Sequence, residues 1–272
     1  MQYLAHSLTR RSGILSISTI LPENREDYHQ MENTKLTMEH FLAKHNLSAF
    51  VDISANDNIY EGMKNLIKFY GAGPIQPNTI MFGVSAKNDN LNYVADLLES
   101  ARAYKKNILL FYSPSQTSPK IFKTKFKSRK KRIDIWWDND YRDNFELMLS
   151  FANSLASSPM WKHSSINLKA VTNISSAQEN FKNYFRKYII STRVKLTPHI
   201  YLDKNMTNPF ASTTKYSNNA EIAFIGLPPN VNDSEGLRVF LSNFKDIKTP
   251  LLIVASYDDM DHREIYLQPQ EY

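Results

Sequence analysis

The chain has 272 residues, 42% of them apolar, no cysteine and a net charge of +6. The missing cysteines exclude disulfides, thiol catalysis and cysteine-ligated metals together, and no apolar run approaches the ~20 residues of a membrane-spanning helix. The positive surplus suits an anionic partner, such as a lipid head-group surface, an acidic protein or nucleic acid.

In chain order, Met1 to Arg10 reads as a helix with Leu4 and Leu8 on one face. Met1 to Arg11 is a mixed stretch ending in two arginines, without the pattern of a secretory signal. Ile14 to Leu21 is a β-branched strand, and Pro22 can open a helix running to about His45. Leu47 to Ile53 is the next strand. Asp57 is a candidate N-cap for a helix striped by Tyr60, Met63, Leu66, Ile67 and Tyr70, with Gly71 at its left-handed end. Thr79 to Val84 is apolar on both faces, as a central parallel strand must be. Asn88 or Asp89 caps a helix carrying Leu91, Val94, Ala95, Leu98 and Ala101, and Ile108 to Tyr112 is another buried strand.

Ser113 to Arg132 changes character. It holds Lys120, Lys123, Lys125, Lys127, Arg129, Lys130, Lys131 and Arg132 and no acidic residue. Pro114 and Pro119 argue against a regular element at its start, although a basic hairpin fits Ile121 to Phe126. The stretch reads as an exposed linker. Its functional reading is contact with anionic lipid head-groups, at about 1 kcal/mol per basic residue near the surface.

The second half opens on Ile133 to Trp137, a short strand followed by turn and cap residues Asp138, Asn139 and Asp140. Phe145, Met148, Leu149, Ala152, Leu155 and Ala156 form one helical stripe. Ile166 to Val171 is a strand, Ser175 to Ile190 a helix, and Val194 to Leu202 a strand. Lys204 to Asn219 is rich in Asn, Ser and Thr and reads as a mobile loop, with hydroxyls open to phosphorylation. Ile222 to Leu227 is a buried strand. Asp233 or Ser234 caps a helix with Leu237, Phe240, Leu241 and Phe244, and Pro250 to Ala255 is the last strand before a polar tail.

The two halves read as one unit used twice. Thr79 to Gly83 and Asn107 to Phe111 match Glu221 to Gly226 and Thr249 to Val254, each pair separated by a helix. Working backwards, Leu47 to Ile53 corresponds to Val194 to Leu202, Ile14 to Leu21 to Ile166 to Val171, and the opening helix to the one after Trp137. Nothing then corresponds to Ile133 to Trp137, so the chain is expected to begin one strand late, inside a longer protein. The fold class is α/β: two tandem βα repeats with mainly parallel sheets flanked by helices. The divisions are residues 1–112, a basic linker 113–132, and 133–272 with the mobile loop 204–219.

Chemical motifs are sparse. There is no GxxxxGK[ST], no GxGxxG and no GxSxG elbow. Gly71-Ala72-Gly73 runs into Pro74, which has no amide to offer a phosphate. Universal stress proteins share this kind of α/β unit, and their ATP-binding members carry a glycine-rich loop. The loops here read Val84 to Lys87 and Leu227 to Asn230 and lack those glycines. The seven histidines form no HxxxH pair, and the Asp258, Asp259, Asp261 and His262 cluster reads as a solvated end. Trp136 and Trp137 sit in an apolar strand and read as core, not as a base-stacking platform. No catalytic residue, cofactor site, metal site or nucleic-acid partner is assigned. A nucleotide-sensing unit without the usual motif is the alternative.

Three segments carry a family likeness: LSAFVDI at Leu47 to Ile53, GAGPIQPNTIMFG at Gly71 to Gly83, and RIDIWW at Arg132 to Trp137. They resemble, in order, the GLKAFV, "GLG.LKPNT…LG" and IDVWW segments of the cytosolic C-terminal domain of cation-chloride cotransporters. An acidic turn and the isolated Trp161-Lys162 fit the same pattern. The family's DDGG is replaced by Asp138-Asn139-Asp140-Tyr141. Short connecting loops suggest a prokaryotic-type member. The resemblance implies two universal-stress-protein-like halves below a transmembrane domain of the same polypeptide, on the cytoplasmic side of the cell membrane. It implies a non-catalytic role in dimerisation and regulation, with the ion path elsewhere.

Overall fold

The structure is a computed structural model that describes residues 1–9, 13–23, 28–71, 75–85, 90–113, 131–137, 143–192, 195–206 and 208–257. Its first half runs α1 (Gln2–Leu8), β1 (Ser16–Leu21), α2 (Tyr28–Lys44), β2 (Phe50–Ala55), α3 (Ile59–Phe69), β3 (Thr79–Val84), α4 (Leu91–Ala103) and β4 (Asn107–Tyr112). The second runs β5 (Arg132–Trp136), α5 (Asp143–Ser157), β6 (Ser165–Thr172), α6 (Ser175–Thr192), β7 (Leu196–Leu202), α7 (Pro209–Ser217), β8 (Ile222–Gly226), α8 (Ser234–Ser242) and β9 (Leu251–Ala255). The α/β class and the flanking helices are as read from the sequence.

Seven strands form one sheet in the order β3-β4-β9-β8-β5-β6-β7, while β1 and β2 form a separate parallel pair. Every pairing in the large sheet is parallel except β4 with β9. That antiparallel contact, with Leu110 opposite Ile253, fuses the two halves into one sheet. The halves read as separate in sequence therefore share a core.

Strand side chains alternate between the two faces. Ile108, Leu110, Ile225, Leu251 and Ile253 meet α4 and α8 on one face. Leu109, Ile133, Ile135, Leu168 and Phe224 meet α1, α5 and α6 on the other. Trp136 and Trp137 are both buried, one in each layer.

Four readings need correcting. Thr79 to Val84 is not central: among the described residues β3 lies at the edge of the large sheet. The N-cap position of α4 is Asn90, not Asn88 or Asp89. The cap of α3 is Asn58, not Asp57: its side chain accepts from the Tyr60 and Glu61 amides. The stretch 204–219 is not a loop throughout, because it holds α7. Asn208 caps that helix by accepting from the Phe210 amide, and Pro209 opens its first turn. Phe210 then packs edge-on against Phe240, and Tyr216 stacks on Tyr201 at 3.8 Å. Ser212, Thr213 and Ser217 are buried. These hydroxyl residues are weak helix formers, but their small size lets the helix lie close to the sheet.

The reading of Gly71 holds. Its φ is 120°, and a Cβ there would collide with the Ile75 carbonyl oxygen.

Candidate functional site

In an open parallel sheet a ligand is received beyond the carboxyl ends of the strands, where the strand order reverses. Here the reversal lies between β5 and β8: the chain goes outwards through β6 and β7, then returns to β8 and β9 on the other side. The buried side chain of Asn144, in the first turn of α5, sits at this point. Its amide donates to the Leu227 carbonyl at 3.0 Å, and its oxygen accepts from the Ser256 N–H at 2.7 Å. One carboxamide thus ties α5 to the ends of β8 and β9. Gly226 leaves room for it, since a Cβ there would lie 3.0 Å from the Asn144 amide nitrogen. The adjoining Pro228 and Pro229 have no N–H to turn towards an anion.

A second cluster lies mid-sheet, under α7. Asp134 on β5 is fully buried and Lys169 on β6 is 3% exposed, with Lys169 Nζ 2.6 Å from Asp134 Oδ2. Asp134 also accepts from Asn167 at 2.9 Å and from the Ser217 hydroxyl at 2.8 Å. The Ser217 oxygen accepts the Trp136 indole N–H at 2.9 Å, and Lys169 donates to the Tyr216 carbonyl. Thr249 donates to the Ser217 carbonyl at 2.6 Å. Both charges are therefore paired and hydrogen-bonded, as burial of ions demands.

Burial lowers the Lys169 pKa, with the bond to Asp134 and its charge acting in the opposite direction. The pKa of His199, an exposed residue of β7, is likewise lowered, first by the desolvation its surroundings impose and then by the Lys169 charge. Nothing in the sequence marked Asp134 and Lys169 as a pair. They stand 35 residues apart, and parallel pairing sets Asp134 opposite Asn167, two residues before Lys169. Among the described residues no three His, Cys, Asp or Glu side chains group as a metal site.

Of the basic residues singled out from sequence, only Lys131 and Arg132 are described, and both are engaged within the fold. Lys131 Nζ donates to the Met160 carbonyl at 2.6 Å and lies 4.8 Å from the centre of the buried Trp161 ring. Burial lowers its pKa, partly countered by Glu221. The Arg132 N–H donates to the Glu221 carboxylate at 2.5 Å, and its guanidinium Nε lies 3.7 Å from Asp134. Lys120, Lys123, Lys125, Lys127, Arg129 and Lys130 lie outside the described residues, as do the 138–141 turn and the 258–262 cluster.

With this geometry in view, the relatives can be placed. Residues 1–95 match the model of solute carrier family 12. The fold also superposes on a crystal structure of the cytoplasmic domain of a prokaryotic cation chloride cotransporter. The TM-score is 0.63 at 16% identity, over 92% of this chain and 88% of that one.

The chain is similar to the cytoplasmic domain of a cation-chloride cotransporter.

The likeness agrees with that read from the three sequence segments, two of which fall inside residues 1–95. A universal stress protein from Archaeoglobus fulgidus shares the fold with TM-score 0.59 and 11% identity, over 95% of this chain and 92% of that one. A putative universal stress protein from Pseudomonas aeruginosa does so at 0.55 and 12%, over 98% and 90%. At such identities the structural likeness establishes the fold. No curated protein matches the chain.

Proposed function

We propose that this chain is the cytoplasmic domain of a cation-chloride cotransporter and serves it by packing rather than by chemistry. In this role it promotes homodimerisation and regulates transport from the cytoplasmic face. The observation that carries the reading is the match of residues 1–95 to solute carrier family 12, within a fold common to a cotransporter's cytoplasmic domain. Asn144 supports the non-catalytic part: the crevice where a stress-protein-like sheet would seat a nucleotide is spanned by a protein side chain.

Antibodies against this chain are expected to detect, in native cells, a membrane-fraction polypeptide larger than 272 residues. A soluble product of about this chain's own length overturns the transporter reading. Sedimentation equilibrium of the chain is expected to show dimer at high concentration, and monomer throughout overturns the dimerisation role. Calorimetric titration with ATP, ADP and AMP is expected to give no saturable heat. Saturable binding in the micromolar range favours the nucleotide-sensing alternative. The basic residues 120 to 130 are proposed to touch anionic head-groups. Retention on anionic vesicles at low salt should vanish when Lys127, Arg129 and Lys130 are neutralised, and retention indifferent to those charges removes the idea.

A further inference from the structure

Helix α6 turns Phe181, Phe185 and Tyr188 towards the core, where Leu196 and Ile200 of β7 join them. Its other side carries Lys182, Arg186 and Ile190, four residues apart and therefore in one row. Pro198 and Ile200, two apart on β7, share a face of that strand. Together with Ile189 these side chains line an open groove of about 370 Å³. Ile190 stays 72% exposed.

The charge around the groove has one sign. Residues 180–202 include Lys182, Arg186, Lys187, Arg193 and Lys195 and no acidic residue. Lys182, Arg186, Lys187 and Lys195 are exposed. Glu179, one turn before the row, pairs with Lys182 at 3.2 Å and offsets one charge. Cations late in a helix also answer its dipole, but the dipole gives no role to the isoleucines beside them. A cationic row with exposed apolar side chains on one helical face is complementary to an anionic bilayer surface. Head-groups pair with the charges, and the apolar side chains enter the acyl boundary. Strand β7 is the last in the order of the large sheet, so the face lies at the flank of the molecule, where a flat surface can reach it.

We infer that this face of α6 and β7 seats the protein on an anionic phospholipid bilayer, with Lys182, Arg186 and Lys187 on the head-groups and Ile190 at the acyl boundary. The inference uses α6 and β7 alone. It depends neither on the basic stretch 113–132 nor on the transporter reading.

The chain has no cysteine, so Ile190→Cys and Val239→Cys each take a single environment-sensitive fluorophore. Val239, exposed on α8 at the opposite face of the sheet, is the control. The probes are vesicles of phosphatidylglycerol with phosphatidylcholine, and of phosphatidylcholine alone, at low salt. The expected result is a blue shift and shielding from iodide at position 190 on the anionic vesicles only, with no change at 239. Lys182→Ser combined with Arg186→Ser should weaken that partitioning by about tenfold or more. A label at 190 that stays in water, that responds no more than the label at 239, or that is indifferent to the double substitution overturns the inference. A change reproduced by poly-glutamate without lipid overturns it in favour of an acidic partner. One that grows with protein concentration without vesicles overturns it in favour of a second copy.

Discussion

β1 and β6 hold corresponding places in the two halves: each follows the first helix of its unit, and each pairs in parallel with the strand after the next helix. Their apolar content is similar, with Ile17, Ile20 and Leu21 in one and Ile166, Leu168 and Ala170 in the other. Yet β6 buries most of its length and β1 buries no residue fully. β2 is like β1, whereas every residue of β8 and β9 is buried. The difference lies in neighbours. β6 has β5 on its other side and helices α5 and α6 above it, while β1, among the described residues, has only β2 beside it, with α3 set against it through Gly62 and Ile20. Equal hydrophobicity becomes unequal burial because a strand is covered by what pairs with it and by the helices those partners carry.

The largest test of this contrast is the buried ion pair of the second half. Asp134→Ala should cost about 3–5 kcal/mol in equilibrium denaturation, because it strands the Lys169 charge in the core. Lys169→Met alone should cost a similar amount, and Asp134→Leu combined with Lys169→Met should recover most of the loss. In the first half the ion pairs of Lys64 with Glu61 and Asp96 are exposed, and Lys64→Met should leave the denaturation midpoint unmoved. Equal costs in the two halves would break the comparison.

Next come matched core truncations. Ile253→Ala removes a fully buried side chain from β9 and should cost about 2–5 kcal/mol. Ile53→Ala, at a half-covered position in β2, should cost well under half as much. Denaturation midpoints with unchanged slopes decide it.

The repeat-equivalent glycines sharpen the contrast further. Gly226→Ala forces a Cβ to 3.0 Å from the Asn144 side chain and should destabilise by about 1–3 kcal/mol, loosening α5 from the ends of β8 and β9. Gly83→Ala finds its nearest atoms at 3.9 Å and should be tolerated. Thermal midpoints of the two variants, measured side by side, check the asymmetry.

The smallest effect concerns pH. His199 has its pKa lowered in the fold, chiefly by desolvation and then by Lys169. The unfolded chain therefore takes up the proton first as pH falls. The stabilising increment is whole above the ordinary value of about 6.5 and is lost as pH drops through the lowered folded value. His199→Gln should flatten that part of the acid limb and leave stability at pH 8 nearly unchanged.

Most of the architecture was legible because its signals are local. Thr79 to Val84 announced a strand, although among the described residues β3 lies at the edge of the large sheet and not at the centre its two apolar faces suggested, and Asp233 announced α8 by capping it. Helix α7 was not legible. Its stabilisation comes from Phe210 against Phe240 and from the Ser217 hydroxyl donating to Asp134, contacts that join residues 30 and 83 apart in sequence, while its own residues favour loops. The Asn144 bridge was hidden for the same reason, since its partners lie just after β8 and just after β9. The basic run read as an exposed linker, but Lys131 turns inwards to Met160 and Trp161, and the Arg132 backbone N–H is held by the Glu221 carboxylate.

What the sequence determined by itself was the alternation of strand and helix, the internal repeat, and three family segments, because periodicity, capping and motif each reside in a few consecutive residues. What only the tertiary structure decided was the fusion of the halves through β4 and β9, the pairing of Asp134 with Lys169, and the filling of the sheet's crevice by Asn144. Those outcomes depend on which strands become neighbours. Neighbour choice is a free-energy balance over the whole core, and no short window of sequence contains it.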